Sequence, residues 1–201
     1  MTDNGHFRPD SDHSLPDQSE LKPLSGGWPE IQDVRLSKFL RTYLSFRRAD
    51  QVPQVPLRSD IDPVLLGPLL SHVWLYRHDP DQDRFIYEIV GEVAKDAWRR
   101  PMMKQWADEI FDAADLLPIT NRWKRVMTEN LLLHAAYSEP KRFRHAERLT
   151  VPIRGVDDET RYVFGISIYE KLTGENKPRA PVQLDLVTYY EFAGLTPPGD
   201  A

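Results

Sequence analysis

The sequence predicts an α+β domain built on one antiparallel sheet, and three observations carry that prediction. Two strand-like runs, 73–78 and 84–90, flank Asp79-Pro80-Asp81-Gln82-Asp83, a turn-forming stretch that makes them a hairpin. Two longer alternating runs, 143–154 and 161–170, follow one another across the polar loop 155–160. Ahead of the hairpin, and again between it and the long runs, apolar residues recur at helical spacing. A hairpin and a strand meander separated by helices lay helices over an antiparallel sheet.

Residues 1–30 contain Pro9, Pro16, Pro23 and Pro29, the pair Gly26-Gly27 and many Asp and Ser, so they are expected to form a flexible tail. The stretch 31–50 is an amphipathic helix, because Leu36, Phe39, Leu40, Tyr43 and Leu44 fall on one face. Arg35, Lys38, Arg41 and Arg48 occupy much of the remainder. That apolar stripe needs a cover, from its own domain or from a second chain; a homodimer contact through these five residues is the expectation. Pro53 and Pro56 make 52–57 extended. Asp62 and Pro63 suit an N-cap and first position, opening a short helix with Leu65, Leu66, Leu69 and Leu70.

In the strand 84–90, alternation puts Phe85, Tyr87 and Ile89 on one face, and Gly91 ends it. Residues 92–117 read as short helices carrying Trp98, Trp106 and Phe111, broken at Pro101. Pro118 opens a strong helix lined by Ile119, Trp123, Val126, Met127 and Asn130. A strand is expected from about 133, then a turn at Ser138-Glu139-Pro140. In 143–154, Leu149, Val151 and Ile153 share a face. In 161–170, Tyr162, Phe164, Ile166 and Ile168 point one way, and Val163, Gly165, Ser167 and Tyr169 the other. A last alternating run spans 184–192, and the Pro-Gly-rich 195–201 is expected to be a second flexible tail. Both sheet faces are apolar, so helices on one face leave the other to the first helix or a partner.

With 201 residues, 40% of them hydrophobic, the chain is long enough to bury a core. Cysteine is absent, which excludes disulfides, a cysteine nucleophile and thiolate metal sites. No apolar run is long enough to span a membrane, and the polar start carries no signal-peptide pattern, so a cytoplasmic location is expected. A net charge of −5 disfavours nucleic acid and anionic lipid as partners. The basic groups Arg99-Arg100, Arg122 with Lys124 and Arg125, and Lys141-Arg142 with Arg144 read as solvated edges.

Four stretches stand out after the amphipathic helix: Pro56-Leu57-Arg58-Ser59-Asp60-Ile61-Asp62-Pro63, Leu69-Leu70-Ser71-His72-Val73-Trp74-Leu75, Phe85-Ile86-Tyr87-Glu88-Ile89-Val90-Gly91 and Glu147-Arg148-Leu149-Thr150-Val151-Pro152-Ile153. With these stretches, the order of elements resembles a PAS domain, and more narrowly a divergent bacterial family of mostly single-PAS-domain proteins common in alphaproteobacteria. The resemblance implies a PAS-like domain over 51–194, with a five-stranded antiparallel sheet, helices on one face and a small-molecule pocket between them. The last strand lies outside that core. The chain departs from the family after Gly91, where many members continue with a Gly-rich stretch.

The aromatic residues suggest where a ligand would sit. Phe85, Tyr87, Trp98, Trp106, Trp123, Met127, Phe164 and Ile166 are the expected lining of an apolar cavity, with polar contacts from Tyr87, Trp123 and Asn130 or Ser167. The plainer reading is that these side chains simply fill a core. No metal site is expected. Asp79, Asp81 and Asp83 mimic the opening of a calcium loop, but Arg84 and Val90 stand where its glycine and glutamate belong. His145-Ala146-Glu147 lacks the cysteines of a zinc deaminase, and no phosphate-binding or nucleophile-elbow motif occurs. Some PAS domains ligate haem from the long helix; here that helix has only His134, at its extreme end. The expected function is a non-enzymatic sensory or regulatory module that binds a small ligand or a protein partner and signals through protein–protein contact. Two other classes stay open: a small enzyme with Tyr87, His134 or a buried Asp as acid or base, and a ligand-free adaptor.

Overall fold

The computed structural model describes residues 21–47, 55–98, 101–111, 113–139, 143–157, 161–170 and 186–198. Residues 1–20, Arg48, Arg99, Arg100, Lys141 and Arg142, on which several expectations fell, lie outside them. The chain is α+β, with an open antiparallel sheet of six strands in the order β2-β1-β5-β4-β3-β6. The strands are β1 (Val73–Asp79), β2 (Arg84–Val90), β3 (Leu131–Glu139), β4 (Phe143–Arg154), β5 (Arg161–Glu170) and β6 (Leu186–Glu191). The helices are α1 (Val34–Ser45), α2 (Pro63–Leu66), α3 (Glu92–Trp98), α4 (Ala107–Ile110) and α5 (Ala113–Glu129). The sheet therefore has one strand more than the five expected, because β6 pairs with β3 instead of standing apart.

Helices cover both faces, α4 and α5 one and α1 the other, so the second cover is the first helix, one of the two left open by the sequence. On the first face, Leu36, Phe39, Leu40 and Tyr43 of α1 pack against Val73, Leu75, Leu149, Val151, Ile153, Phe164 and Ile166. All four helix residues are fully buried within the single chain, and Leu44 packs beside them. The stripe assigned to a dimer contact is thus the chain's own core, since leaving it bare would expose a contiguous apolar face to water. Asp33 caps α1 by accepting the Arg35 N–H at 2.8 Å, and the Tyr43 hydroxyl donates to the Pro152 carbonyl at 2.8 Å. On the second face, α4 and α5 cover Trp74, Tyr76, Phe85, Tyr87, Leu131, Leu133, Val163 and Tyr189.

Asp62 caps α2 as expected, accepting the Val64 N–H at 2.8 Å. By contrast, α5 begins five residues before Pro118, which sits inside the helix. Asn130, expected to face a cavity, instead turns α5 into β3 with a φ of 54°, a conformation asparagine tolerates. In β2 the alternation breaks. Leu75 faces Ile89 while Tyr76 faces Tyr87, so Glu88 is an extra residue and Ile89 joins the α1 face, apart from Phe85 and Tyr87.

Both sheet edges are covered. Segment 104–106 lies along β2, through Tyr87 N–H to the Gln105 carbonyl at 3.0 Å and Lys104 N–H to the Tyr87 carbonyl at 2.8 Å. Leu24 pairs in parallel with β6, donating to Tyr189 at 2.8 Å and accepting from Glu191 at 3.0 Å. The end of the expected N-terminal tail is therefore attached to the sheet. Part of the C-terminal one is also placed: Leu195 packs on the α1-side core, and Arg41 donates to the Pro198 carbonyl at 2.8 Å. Gly26 and Gly194 pass in contact, where a β-carbon on Gly194 would lie 3.3 Å from the Gly26 α-carbon.

Candidate functional site

The eight residues expected to line one cavity divide between the two faces. Phe85, Tyr87, Trp123 and Met127 belong to the α5-side core, with Trp98 packed against it. Phe164 and Ile166 face α1 instead. The reason is register. Tyr76 lies opposite both Tyr87 and Val163, so it is Val163 and its alternates Gly165, Ser167 and Tyr169 that share the Tyr87 face. Trp106 sits at the sheet edge, where the Arg84 guanidinium stacks 4.3 Å from its ring centre.

The aromatic part of the α5 face is occupied by its own rings. Tyr76 lies 3.7 Å from Tyr87 and 4.2 Å from Trp123, and Phe85 lies 5.1 Å from Trp123, measured between ring centres. These are contact distances, so those side chains fill core as the plainer reading held.

The polar part of the same face is different. Ser167 and Arg148 are cross-strand neighbours on β5 and β4. Arg148 Nε and Trp74 Nε1 both donate to Ser167 Oγ, each at 2.9 Å, and the guanidinium lies 5.2 Å from the Trp74 ring. Trp74 reaches Ser167 by lying over Gly165, where a β-carbon would come 2.2 Å from the indole. Trp98 Nε1, from α3, donates to Tyr169 Oη at 3.1 Å. Tyr76, 1% exposed, carries a buried hydroxyl close to that of Tyr87, and no other group among the described residues bonds to it. Burial holds the Tyr76 and Tyr87 phenols well above their ordinary range, with the Arg148 charge pulling both slightly back. Arg148, Trp98 and Tyr169 are half-buried, so this part reaches solvent beside α3.

Of these residues the sequence pointed to Tyr87, Trp98 and Ser167. Trp74, Tyr76, Arg148 and Tyr169 were missed. Val73-Trp74-Leu75-Tyr76 is apolar throughout, so its two faces cannot be told apart by pattern. Arg148 and Ser167 meet only through strand pairing, which spacing does not reveal.

A second polar group lies on the α1 face. Glu147, 4% exposed, accepts the backbone N–H of Gln32 at 3.0 Å and of Asp33 at 3.1 Å. The same carboxylate lies 2.8 Å from Nε2 of His134, itself 2% exposed. It thereby ties the start of α1 to the sheet. His134 and Tyr87 lie on opposite faces, so the two groups weighed as acid or base do not share a site.

The Asp79–Asp83 stretch is a turn: Asp79 Oδ1 accepts the N–H groups of Asp81 at 3.1 Å and Gln82 at 3.2 Å. Among the described residues, no group of three or more His, Asp or Glu side chains is placed to hold a metal ion. No helix among them is long and apolar enough to cross a membrane. Set against protein-family models, curated proteins and solved structures, the chain shows no significant match.

Proposed function

We propose that this chain is a PAS-like sensory or regulatory module of the cytoplasm, one that binds a small molecule on its α5-covered face and passes its occupancy to a protein partner. The observation that carries the reading is a buried polar group on a face otherwise lined by aromatic rings: the Trp74–Ser167–Arg148 hydrogen bonds, with the Tyr76 hydroxyl close to that of Tyr87. Small-molecule sites are largely apolar with a few converging polar groups, which is the composition of this face. Strand geometry supplies the route outward. Arg148 faces the site, while its neighbour Glu147 faces the other way and holds the Gln32 and Asp33 amides at the start of α1. A ligand that moves Arg148 shifts β4, and with it the α1 anchor. Gentle purification followed by native mass spectrometry, with a thermal-shift screen across metabolite classes, tests the reading. It expects a copurified small molecule or stabilisation by at least one class. A bare mass with no stabilisation by any class would instead favour the ligand-free adaptor, whose support is the ring contact of Tyr76 with Tyr87 and Trp123.

A further inference from the structure

One surface segment of the chain has no polar side chain. From Pro63 to Leu70 the sequence reads Pro-Val-Leu-Leu-Gly-Pro-Leu-Leu, through α2 and the 3-10 turn at Gly67–Ser71. Leu66 and Leu69 are buried in the α1-side core. Pro63, Val64, Leu65, Pro68 and Leu70 are exposed, Val64 at 82%, Leu65 at 54% and Leu70 at 43%. No other stretch of this length among the described residues exposes three large apolar side chains. Single exposed apolar residues are ordinary, but a contiguous group marks an interaction site.

The charges around the group say what it fits. Arg58, Asp60 and Asp62 lead into it, and α1 packs beside α2. On α1 the Arg35 guanidinium, bonded to Asp33 at 2.7 Å, comes within 3.5 Å of the His72 ring at the segment's end, and Lys38 follows one turn on. At that end Gly91 packs against the Ser71 carbonyl and is followed by the Glu92–Lys95 pair of α3. The rim thus holds four cations and four anions, in a chain whose net charge is −5. Such a rim offers no net field to a bilayer or a nucleic acid, whereas two copies related by a two-fold axis can set cation against anion across it. We propose that this surface is the contact of a symmetric homodimer, in which Val64, Leu65 and Leu70 pack on the same residues of a second copy. It lies on the outer side of α2, apart from both the buried stripe of α1 and the α5 face, so it stands whether or not the α5 face takes a ligand.

Sedimentation velocity and light scattering of the full chain across a concentration series test the contact. The mass is expected to rise to twice that of the chain. Val64→Asp and Leu65→Asp are each expected to raise the dissociation constant about tenfold or more, with the circular dichroism of the folded chain retained. Lys38→Gln, and Asp62→Asn, which keeps the α2 cap, are each expected to raise it about two- to fivefold. Should one aspartate variant fail to fold, the other decides. A chain that is monomeric at every concentration overturns the proposal, and so does a dimer that survives both aspartate variants. Flotation of a monomeric chain with phosphatidylserine vesicles, lost in Leu65→Asp, overturns it in favour of a membrane surface.

Discussion

Glu147 is the residue on which the most separate parts of the chain converge. Its carboxylate joins two partly buried backbone amides ahead of α1 to a buried histidine on β3. Glu147→Ala leaves two backbone amides and the His134 ring without their acceptor, so it should lose about 2–4 kcal/mol in urea denaturation. The exposed Glu92, paired with Lys95 one helical turn on, serves as control, and its alanine variant should stay within roughly 0.5 kcal/mol of wild type. Equal losses for the two would sink the anchoring role. Gly165 makes a second residue-scale case. A methyl there meets the Trp74 indole and the Leu149 carbonyl, the latter at 2.6 Å, so Gly165→Ala should cost roughly 1–3 kcal/mol and shift the tryptophan emission. An unchanged emission maximum and midpoint would contradict that packing. At this scale the sequence was least informative. Glu147 stood in an H-x-E pattern with no cysteine to complete it, and nothing in the spacing joins it to the amides of residues 32 and 33.

Elements were far more legible. The bounds of β2, β4 and β5 follow directly from alternation that runs seven residues or more. The misreadings have local causes. Pro118 looked like a helix start because its ring fits a first turn, yet Ala113 and Ala114 already favour helix, and Pro118 is carried in the second turn at the loss of one backbone hydrogen bond. The bulge at Glu88 reverses the outward face of β2 within a run whose residues alternate cleanly on paper. The helix α1 was read correctly as amphipathic, but its stripe fits a neighbouring chain and its own sheet equally well on sequence grounds. Burial settles the matter, and it changes the expected outcome of mutation. Leu40→Ala should lose about 2–5 kcal/mol, and Leu40→Asp should unfold the domain rather than alter its mass in light scattering. A folded Leu40→Asp variant with changed subunit number would reverse this assignment.

At the scale of the molecule, stability should fall at both extremes of pH, for different groups. The Asp33 carboxyl is held below its usual value by its bond to the Arg35 side chain, and His72 is lowered by burial and then by Arg35. Both prefer their deprotonated forms in the fold, so their contribution is present above the unfolded values. It drains away as pH falls, first below about 6.5 for His72 and then below about 3.8 for Asp33. Tyr43, Tyr76 and Tyr87 are raised chiefly by burial, so their contribution is complete below pH 10.0 and is lost above it. Denaturation midpoints across pH 3–11 should therefore trace a plateau between an acid and an alkaline limb, and Tyr43→Phe should flatten the alkaline one; an alkaline limb unaltered by the variant would argue against its origin. The α+β class and antiparallel pairing were readable because they depend on local pattern. The sixth strand's place was not, since its partner lies some fifty residues earlier in the chain. That last pairing also sets where sequence can be rearranged. With Leu24 bonded to Tyr189 and Glu191 in parallel, and Gly26 against Gly194, the first and last described segments run side by side yet depart in opposite directions, Leu21 onto the α5-side core and Leu195 onto the α1-side core. A circular permutant opened in the 79–83 turn therefore needs a linker long enough to pass around the sheet edge, and labels placed before 21 and after 198 should emerge on opposite sides of the sheet.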